Sequence, residues 1–410
     1  MSPPALLLIA YHFPPDNAIG GARPYRFYKY LKRLGYQCHV LTASPQPEGV
    51  TDVEHVPDPL RIRPRQGLWW QAERIGWKFF LRAELVLGWS EAVRKAGEAF
   101  LNSRKTTPIT ILSSAPPVGT HLAALRLAFQ SGYPWIADFR DPIHTVAGDR
   151  AGLEGIVAPG LEGLILRRAD LVLANTDAMH ARWSGQHPGL KDKIQVLWNG
   201  FDPEDIIQPY PLPQRERKVV SHVGELYGGR TIRPILLALG KLFEAGSLSR
   251  SRLVIRQIGP AEPAELAEPE FLQRAQSEGW LELKEPVPAR EARALALDSD
   301  GLLLVQPHTA IQVPGKLFDY LRMGRPILAF ILRGSPVERI LQGAQVPCVC
   351  IYPDQSPEEI AARLLAFMEQ LDGKPVHSLD GPSDWFKDTF EASRQTDVLH
   401  RLILKLWADR

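Results

Sequence analysis

Cysteine is scarce in this chain. The three present, Cys38, Cys348 and Cys350, have neither zinc-site nor disulfide-framework spacing. Two of them alternate in an expected strand, which fits a reducing cytoplasm better than an oxidising compartment. Long apolar runs are missing too. No stretch reaches the roughly 18 uninterrupted apolar residues of a bilayer span, and the first ten residues have no charged n-region and too short an apolar run for a secretory signal. Charge of one sign is not in surplus: 48 Lys and Arg stand against 46 Asp and Glu, which argues against nucleic acid as a partner. There is no G-x-G-x-x-G dinucleotide fingerprint, no internal repeat and no low-complexity tract. The 410 residues, 45% hydrophobic and 23% charged, have the balance of a soluble globular chain long enough for two domains.

The stretch 313–330 organises the rest. Pro314 and Gly315 open it, Leu317, Phe318, Tyr320 and Leu321 fall at helical spacing, Gly324 stops the helix, and 327–330 reads as a buried strand. Upstream, 301–306 reads as another strand, so 307–315 is a loop at a strand's carboxyl end that leads into a helix start, where ligands of open α/β sheets bind. Free backbone N–H groups there, with the Lys316 ammonium, would favour an anion such as a diphosphate, and Asp319 on the same helix face could accept from ribose hydroxyls. An ordinary αβ unit with a surface Lys–Asp pair has the same sequence pattern.

The amino-terminal end repeats the theme. A strand at 6–10 is followed by Y-H-F-P-P, then Gly20-Gly21, then a helix from Arg23 to a stop at Gly35, then a strand at 38–42. Gly20-Gly21 would let backbone approach a phosphate or sugar, with Arg23 and Arg26 as anion partners; the alternative is a glycine turn beside two solvated arginines. Residues 55–100 break the αβ alternation. Arg61, Arg63, Arg65, Arg74, Lys78 and Arg82 are interleaved with Trp69, Trp70, Trp77, Phe79, Phe80 and Trp89. This suits an interfacial helix on anionic lipid, or equally an inserted helical pair packing its aromatics on the core.

Further on, a strand at 135–137 delivers D-F-R-D-P, 138–142, to its carboxyl end, where Arg140 either ties the loop by pairing with Asp138 or Asp141 or serves a ligand. Asn199-Gly200-Phe201-Asp202 and the prolines 203, 209, 211 and 213 read as a junction and linker. Beyond it a strand at 218–223 enters a second glycine loop, 224–230, with Arg230 close to an expected helix at 231–244. Residues 385–407 read as one helix.

The segment K-L-F-D-Y-L-x-x-G-x-P-I-L-A from Lys316, Y-H-F-P-P with G-G-x-R near the amino terminus, and N-G-x-D at 199–202 together resemble family-4 glycosyltransferases of the GT-B fold. The resemblance runs along nearly the whole chain. It implies an α/β fold of two Rossmann-like domains with parallel sheets facing a central cleft. These are an acceptor-binding domain at 1–203, with a basic and aromatic helical insertion at about 61–100, and a nucleotide-sugar-binding domain at 204–380. A C-terminal helix, 381–410, crosses back. It also implies transfer of a sugar, with retention, from a nucleotide-diphosphate sugar to a glycan or lipid-linked acceptor. No metal or other cofactor is obligatory. The setting would be bacterial polysaccharide or glycoconjugate biosynthesis, in the cytoplasm or at the inner face of its membrane.

By the same resemblance Gly224, Arg230, Val313, Pro314, Gly315, Lys316, Leu317 and Asp319 would hold the donor, with Gly20 and Gly21 approaching it. Asp138 and Asp141 would orient the acceptor hydroxyl, and Arg140 would bind an acceptor anion or lock the pair. Two positions depart from the pattern. Glu225 stands where a basic residue is usual, and Ile311 where a sugar-contacting glutamate is usual, which leaves His308 or Gln312 for that contact. The departures keep two rivals open: a non-catalytic sugar-nucleotide-binding scaffold and a GT-B sugar-nucleotide epimerase.

Overall fold

The protein's computed structural model describes residues 4–16, 19–59, 85–104, 108–143, 154–207, 215–372 and 382–410. The chain forms two compact units, one of residues 1–203 with 389–410, the other of residues 204–388.

The first unit holds a parallel sheet of β1 (Ala5–Ala10), β2 (Cys38–Thr42), β3 (Val53–His55), β4 (Ile109–Ala115), β5 (Trp135–Phe139), β6 (Leu171–Ala174) and β7 (Ile194–Val196), in the spatial order β3-β2-β1-β4-β5-β6-β7. The central strands are near-continuous apolar runs because both of their faces are covered. All six residues of β1 and all seven of β4 are buried, with Leu8 opposite Leu112. The second unit repeats the design with β8 (Lys218–Val223), β9 (Leu253–Ile258), β10 (Leu281–Lys284), β11 (Gly301–Gln306), β12 (Ile327–Ile331) and β13 (Cys348–Ile351), ordered β10-β9-β8-β11-β12-β13, again all parallel. This is the two-sheet α/β architecture of the GT-B fold.

Two expectations need correction, and a third is resolved at one residue. The stretch 385–407 is two helices, Asp384–Phe390 and Ala392–Ala408, broken at Glu391, whose backbone is extended. The break is made by strand-like pairing with Phe201: Phe201 N–H donates to Phe390 O at 3.1 Å, and Ala392 N–H donates to Phe201 O at 2.9 Å. The last helix then buries Leu399 and Ile403 completely in the core around Leu6 and Val40, worth about 1.5–3 kcal/mol each. Second, the helix after β8 is Arg233–Glu244. It starts two residues late because Thr231 Oγ1 takes the Arg233 N–H at 3.1 Å and Pro234 follows. Third, of the two readings open for the basic and aromatic stretch, Trp89 follows the core-packing one. It is fully buried on the helix Leu87–Asn102, and its Nε1 donates to Val56 O at 3.0 Å. The rest of the basic and aromatic set, from Arg61 to Arg82, lies outside the described residues.

Asn199-Gly200 owes its glycine to a neighbour rather than to a turn. A Cβ on Gly200 would land inside the van der Waals radius of the Phe390 carbonyl oxygen, a backbone atom that cannot swing away. Gly200→Ala is therefore expected to lower unfolding free energy by about 1–3 kcal/mol, read as a lower urea midpoint at unchanged slope.

Candidate functional site

In the first unit the strand order reverses between β1 and β4, and the carboxyl edge of that switch point is where open α/β sheets take ligands. The structure fills much of this edge with its own groups. A Cβ on Gly20 would lie 2.6 Å from the Arg140 guanidinium, and one on Gly21 would lie 3.2 Å from the Phe13 backbone. These glycines admit protein rather than a phosphate.

Arg23 is buried and grips Asp138, with NH2 2.7 Å and Nε 3.1 Å from its Oδ1. Its remaining donors reach Leu197 O at 2.8 Å and Trp198 O at 2.6 Å. Arg26 donates to Gly200 O and Asn199 Oδ1. Neither arginine is an anion partner here: both bind the Asn199-Gly200 loop to the helix Ala22–Arg33.

Asp138 is corrected likewise. It is fully buried, and Ser114 Oγ donates to its Oδ2 at 2.7 Å, so it anchors Arg23 instead of orienting an acceptor. Its lock is Arg23 and not Arg140. Arg140 donates to the carbonyls of Gly20, Ala115 and Pro116, and burial loosens its hold on its proton, opposed by Asp141 and Asp138. Within 138–142, Asp141 is the half-buried carboxylate. His12, at the carboxyl end of β1 and 3.3 Å from Asp16, is a polar group at this edge that sequence reasoning passed over.

The second unit reverses its strand order between β8 and β11, and here the predicted residues converge. Lys316, the first residue of the helix Lys316–Arg322, sends its Nζ under the end of β8. It donates to Val223 O at 2.6 Å and lies 3.0 Å from His222 Nε2. Tyr320, one turn on, accepts the Val223 N–H at 3.0 Å, so the helix clasps both backbone groups of Val223. Gly224, with φ 124°, leaves the room: a Cβ there would sit 2.6 Å from Lys316 Nζ. Burial, reinforced by the Arg230 guanidinium, pulls Lys316 down to about 7.

Arg230 lies over the Tyr227 ring at 4.8 Å and donates to its hydroxyl at 3.0 Å. Its charge also depresses His222 and His308; burial is the larger cause in both, and His308 falls to about 4. His308 packs on the loop, since a Cβ on Gly229 would lie 3.1 Å from its Cβ, and its buried Nδ1 has no partner among the described residues. A cavity of about 520 Å³ opens beside Gly229 and His308, lined by Pro307, Phe330 and Ile360 with Arg233 and Lys241.

The expected open amides are mostly taken. Leu317 and Phe318 N–H donate to Pro314 O and Gly315 O, and Gly229 N–H donates to Glu265 Oε1 at 2.6 Å. Leu317 is fully buried and Val313 nearly so, which leaves their side chains to the core, whereas Gly315 is exposed. Asp319 is part-exposed, 3.8 Å from Arg293 and 3.9 Å from Arg322. Glu225 is exposed, and Ile311 and Gln312 are half-buried.

His222 and Gln257 were missed as well. Their signal was polarity in the middle of largely apolar strands: His222 Nδ1 is 2.6 Å from Gln257 Oε1, and both residues are buried.

Residues 22–205 match the model of Glycosyltransferase Family 4. Among solved structures, HepE from Anabaena in complex with UDP-glucose is 12% identical, covers 99% of this chain and 100% of its own, and has a TM-score of 0.59. Sucrose-phosphate synthase from Thermosynechococcus elongatus is 13% identical over 99% of this chain and 100% of its own, with a TM-score of 0.65. The catalytic domain of starch synthase IV from Arabidopsis thaliana, bound to ADP and acarbose, is 11% identical over 100% and 99%, with a TM-score of 0.64. No curated protein sequence matches the chain. The class defined by this fold is that of GT-B proteins. Residues 22–205 carry a match to Glycosyltransferase Family 4, on a chain whose fold is that of these structures.

The Arg23–Asp138 pair gives a test of the reassignment. Asp138→Ala strands a buried guanidinium and is expected to cost about 3–5 kcal/mol of stability in urea unfolding, as a structural anchor should and an acceptor-orienting residue should not.

Proposed function

We propose that the chain moves a sugar from a nucleoside diphosphate sugar to an acceptor hydroxyl with retention at the anomeric carbon, its second unit holding the donor. The observation that carries this reading is Lys316. A half-buried lysine nitrogen whose neighbours are a carbonyl, an imidazole and a second cation, with no carboxylate among the described residues, is a place that an anion makes favourable for its charge. Arg230 supplies the second charge. Together they would stabilise the negative charge that grows on the departing diphosphate, the electrostatic contribution to catalysis. A phosphate oxygen of the leaving group then takes the acceptor's proton, so the site needs no strong protein base. Asp319 is the ribose partner, and Gly224, Pro314 and Gly315 line the backbone approach. The UDP-glucose named in the HepE complex supports a uridine donor. The acceptor, a glycan or a lipid-linked sugar, falls to the first unit, with Asp141 the carboxylate placed to meet it.

The basic and aromatic residues of 61–82 suit a peripheral contact with an anionic membrane surface, where a lipid-linked acceptor is found. Among the described residues no helix is long and apolar enough to cross a membrane.

Thermal shift against uridine, guanosine, adenosine and thymidine diphosphates identifies the base, because a ligand bound to the native state alone raises the melting temperature. Lys316→Ala and Arg230→Ala are each expected to weaken the best binder about 10- to 100-fold while the far-UV spectrum stays unchanged, as loss of one charge-assisted contact of about 1.5–3 kcal/mol requires. Unchanged affinity in both variants counts against the assignment. Incubation with labelled donor should release or transfer the sugar; a donor bound but left intact favours the scaffold, and one altered without acceptor favours the epimerase. Co-sedimentation with anionic vesicles at low salt should fall as salt rises, and absence of pelleting at low salt removes the membrane contact.

A further inference from the structure

The hydrogen bonds beneath Lys316 fix a proton address. Gln257 Nε2 donates to Gly224 O at 2.8 Å and to Gly259 O at 3.2 Å, so its amide orientation is set and Oε1 faces His222. At 2.6 Å from that oxygen, His222 Nδ1 must carry the imidazole proton. Its Nε2 is therefore a bare lone pair, aimed at Lys316 Nζ 3.0 Å away. Both strand residues are buried, His222 at 0% and Gln257 at 1% exposure, which leaves this array little freedom to rearrange.

The array holds two ready acceptors for an ammonium, Val223 O and His222 Nε2, and leaves the third N–H for a ligand. The charged and titratable groups around Lys316 are His222 on β8, Arg230 on the loop after β8, which also acts on His308 after β11, and the Tyr320 hydroxyl, one turn on, at Val223 N; Asp319, on its own helix, engages Arg293 and Arg322.

We propose that donor binding draws a proton from solvent onto Lys316, and that His222 and Gln257 are positioning residues that hold its nitrogen ready to receive it. This rests on the reading that Lys316 meets the donor's diphosphate. The balance is simple: water or buffer gives up one proton, the Lys316 amine takes it, and no other bond changes. The empty site repels the charged form, because Arg230 is close and no carboxylate partners Lys316 among the described residues; burial and that repulsion set its value at about 7. A diphosphate reverses the balance by adding opposite charge beside Nζ. The sign follows: the amine is already protonated well below pH 7, so binding takes up little there, and uptake approaches one proton per site above it.

Titration calorimetry in Tris and in HEPES, buffers of different ionisation enthalpy, counts the protons. The probe is UDP-glucose, with ADP-glucose and GDP-mannose in turn if no heat is seen; their diphosphates carry no proton in this range. Uptake of about 0.9 proton per site at pH 8 and about 0.5 at pH 7 is expected, from a group near 7 that is fully protonated in the complex. His222→Leu removes the acceptor and should move the uptake profile to lower pH with weaker binding. His222→Gln, whose Oε1 can stand in for Nε2, should restore both, a rescue that a merely space-filling role does not predict. Binding with buffer-independent heat at pH 8, or a His222→Leu profile unmoved from wild type, overturns the inference while leaving the donor reading in place. No binding of any probe by folded protein overturns the donor reading and the inference with it.

Discussion

A half-buried lysine amine with only neutral acceptors and another cation around it is an unfavourable place for a charge, and one such lysine stands at the switch point of the second unit. Lys316 is held there by its own helix. Its aliphatic stem runs under Gly224, Tyr320 pins the same backbone unit that Lys316 touches, and Leu317, Phe318 and Leu321 anchor the helix in the core. The chain cannot relieve the strain by swinging the lysine out without undoing that clasp. On the proposed reading, an incoming diphosphate would supply the opposite charge that this corner lacks among the described residues, favouring both binding and the charge that grows on the leaving group.

The two units treat the cations at their switch points in opposite ways. In the first, Arg23 has a carboxylate and two carbonyls, and Arg140 has three carbonyls. These guanidiniums are spent on joining loops, and the sequence pattern G-G-x-R marks that structural joint. In the second, among the described residues neither Lys316 nor Arg230 has a carboxylate partner, and Arg230 rests on an aromatic face instead. The same fold thus ties its basic residues into struts at one switch point and leaves them without carboxylate partners, as the proposed donor contacts, at the other. For Arg23 the strut is completed by an aspartate at a strand end, Asp138 of β5; for Arg140 it is completed by loop carbonyls alone.

Much of the fold was legible because central parallel strands are the one element whose burial on both faces writes an unbroken apolar run: β1, β4, β11 and β12 announce themselves. Lys316 and Arg230 could be singled out as charges beside glycine at a strand's end, but the bland readings of both, a surface Lys–Asp pair and a turn with a surface arginine, share that pattern. What was not legible depends on partners distant in sequence. Nothing local tells that Phe201 will pair with the backbone at 390–392 and split the last helix, or that Arg23 will reach across 115 residues to Asp138. Trp89 was left undecided for a related reason, since an aromatic on an amphipathic helix reads alike whether it faces lipid or core. His222 and Gln257 could have been suspected as polar residues in buried strands, but their contact with each other and with Lys316 exists only once β8 and β9 lie side by side.

The replacement of a usual basic residue by Glu225 takes on a definite meaning in this setting. A donor's diphosphate brings about two negative charges, and the loop after β8 offers one fixed positive charge, Arg230, with the exposed Glu225 carboxylate working against it. The second positive charge has to come from Lys316, and near neutrality that side chain is only partly charged before the ligand arrives. If Lys316 meets the diphosphate as proposed, charge matching is completed by a proton rather than by another residue. This relieves the empty unit of three like charges crowded at one strand end, and it makes the site's positive field strongest when a diphosphate is present to use it.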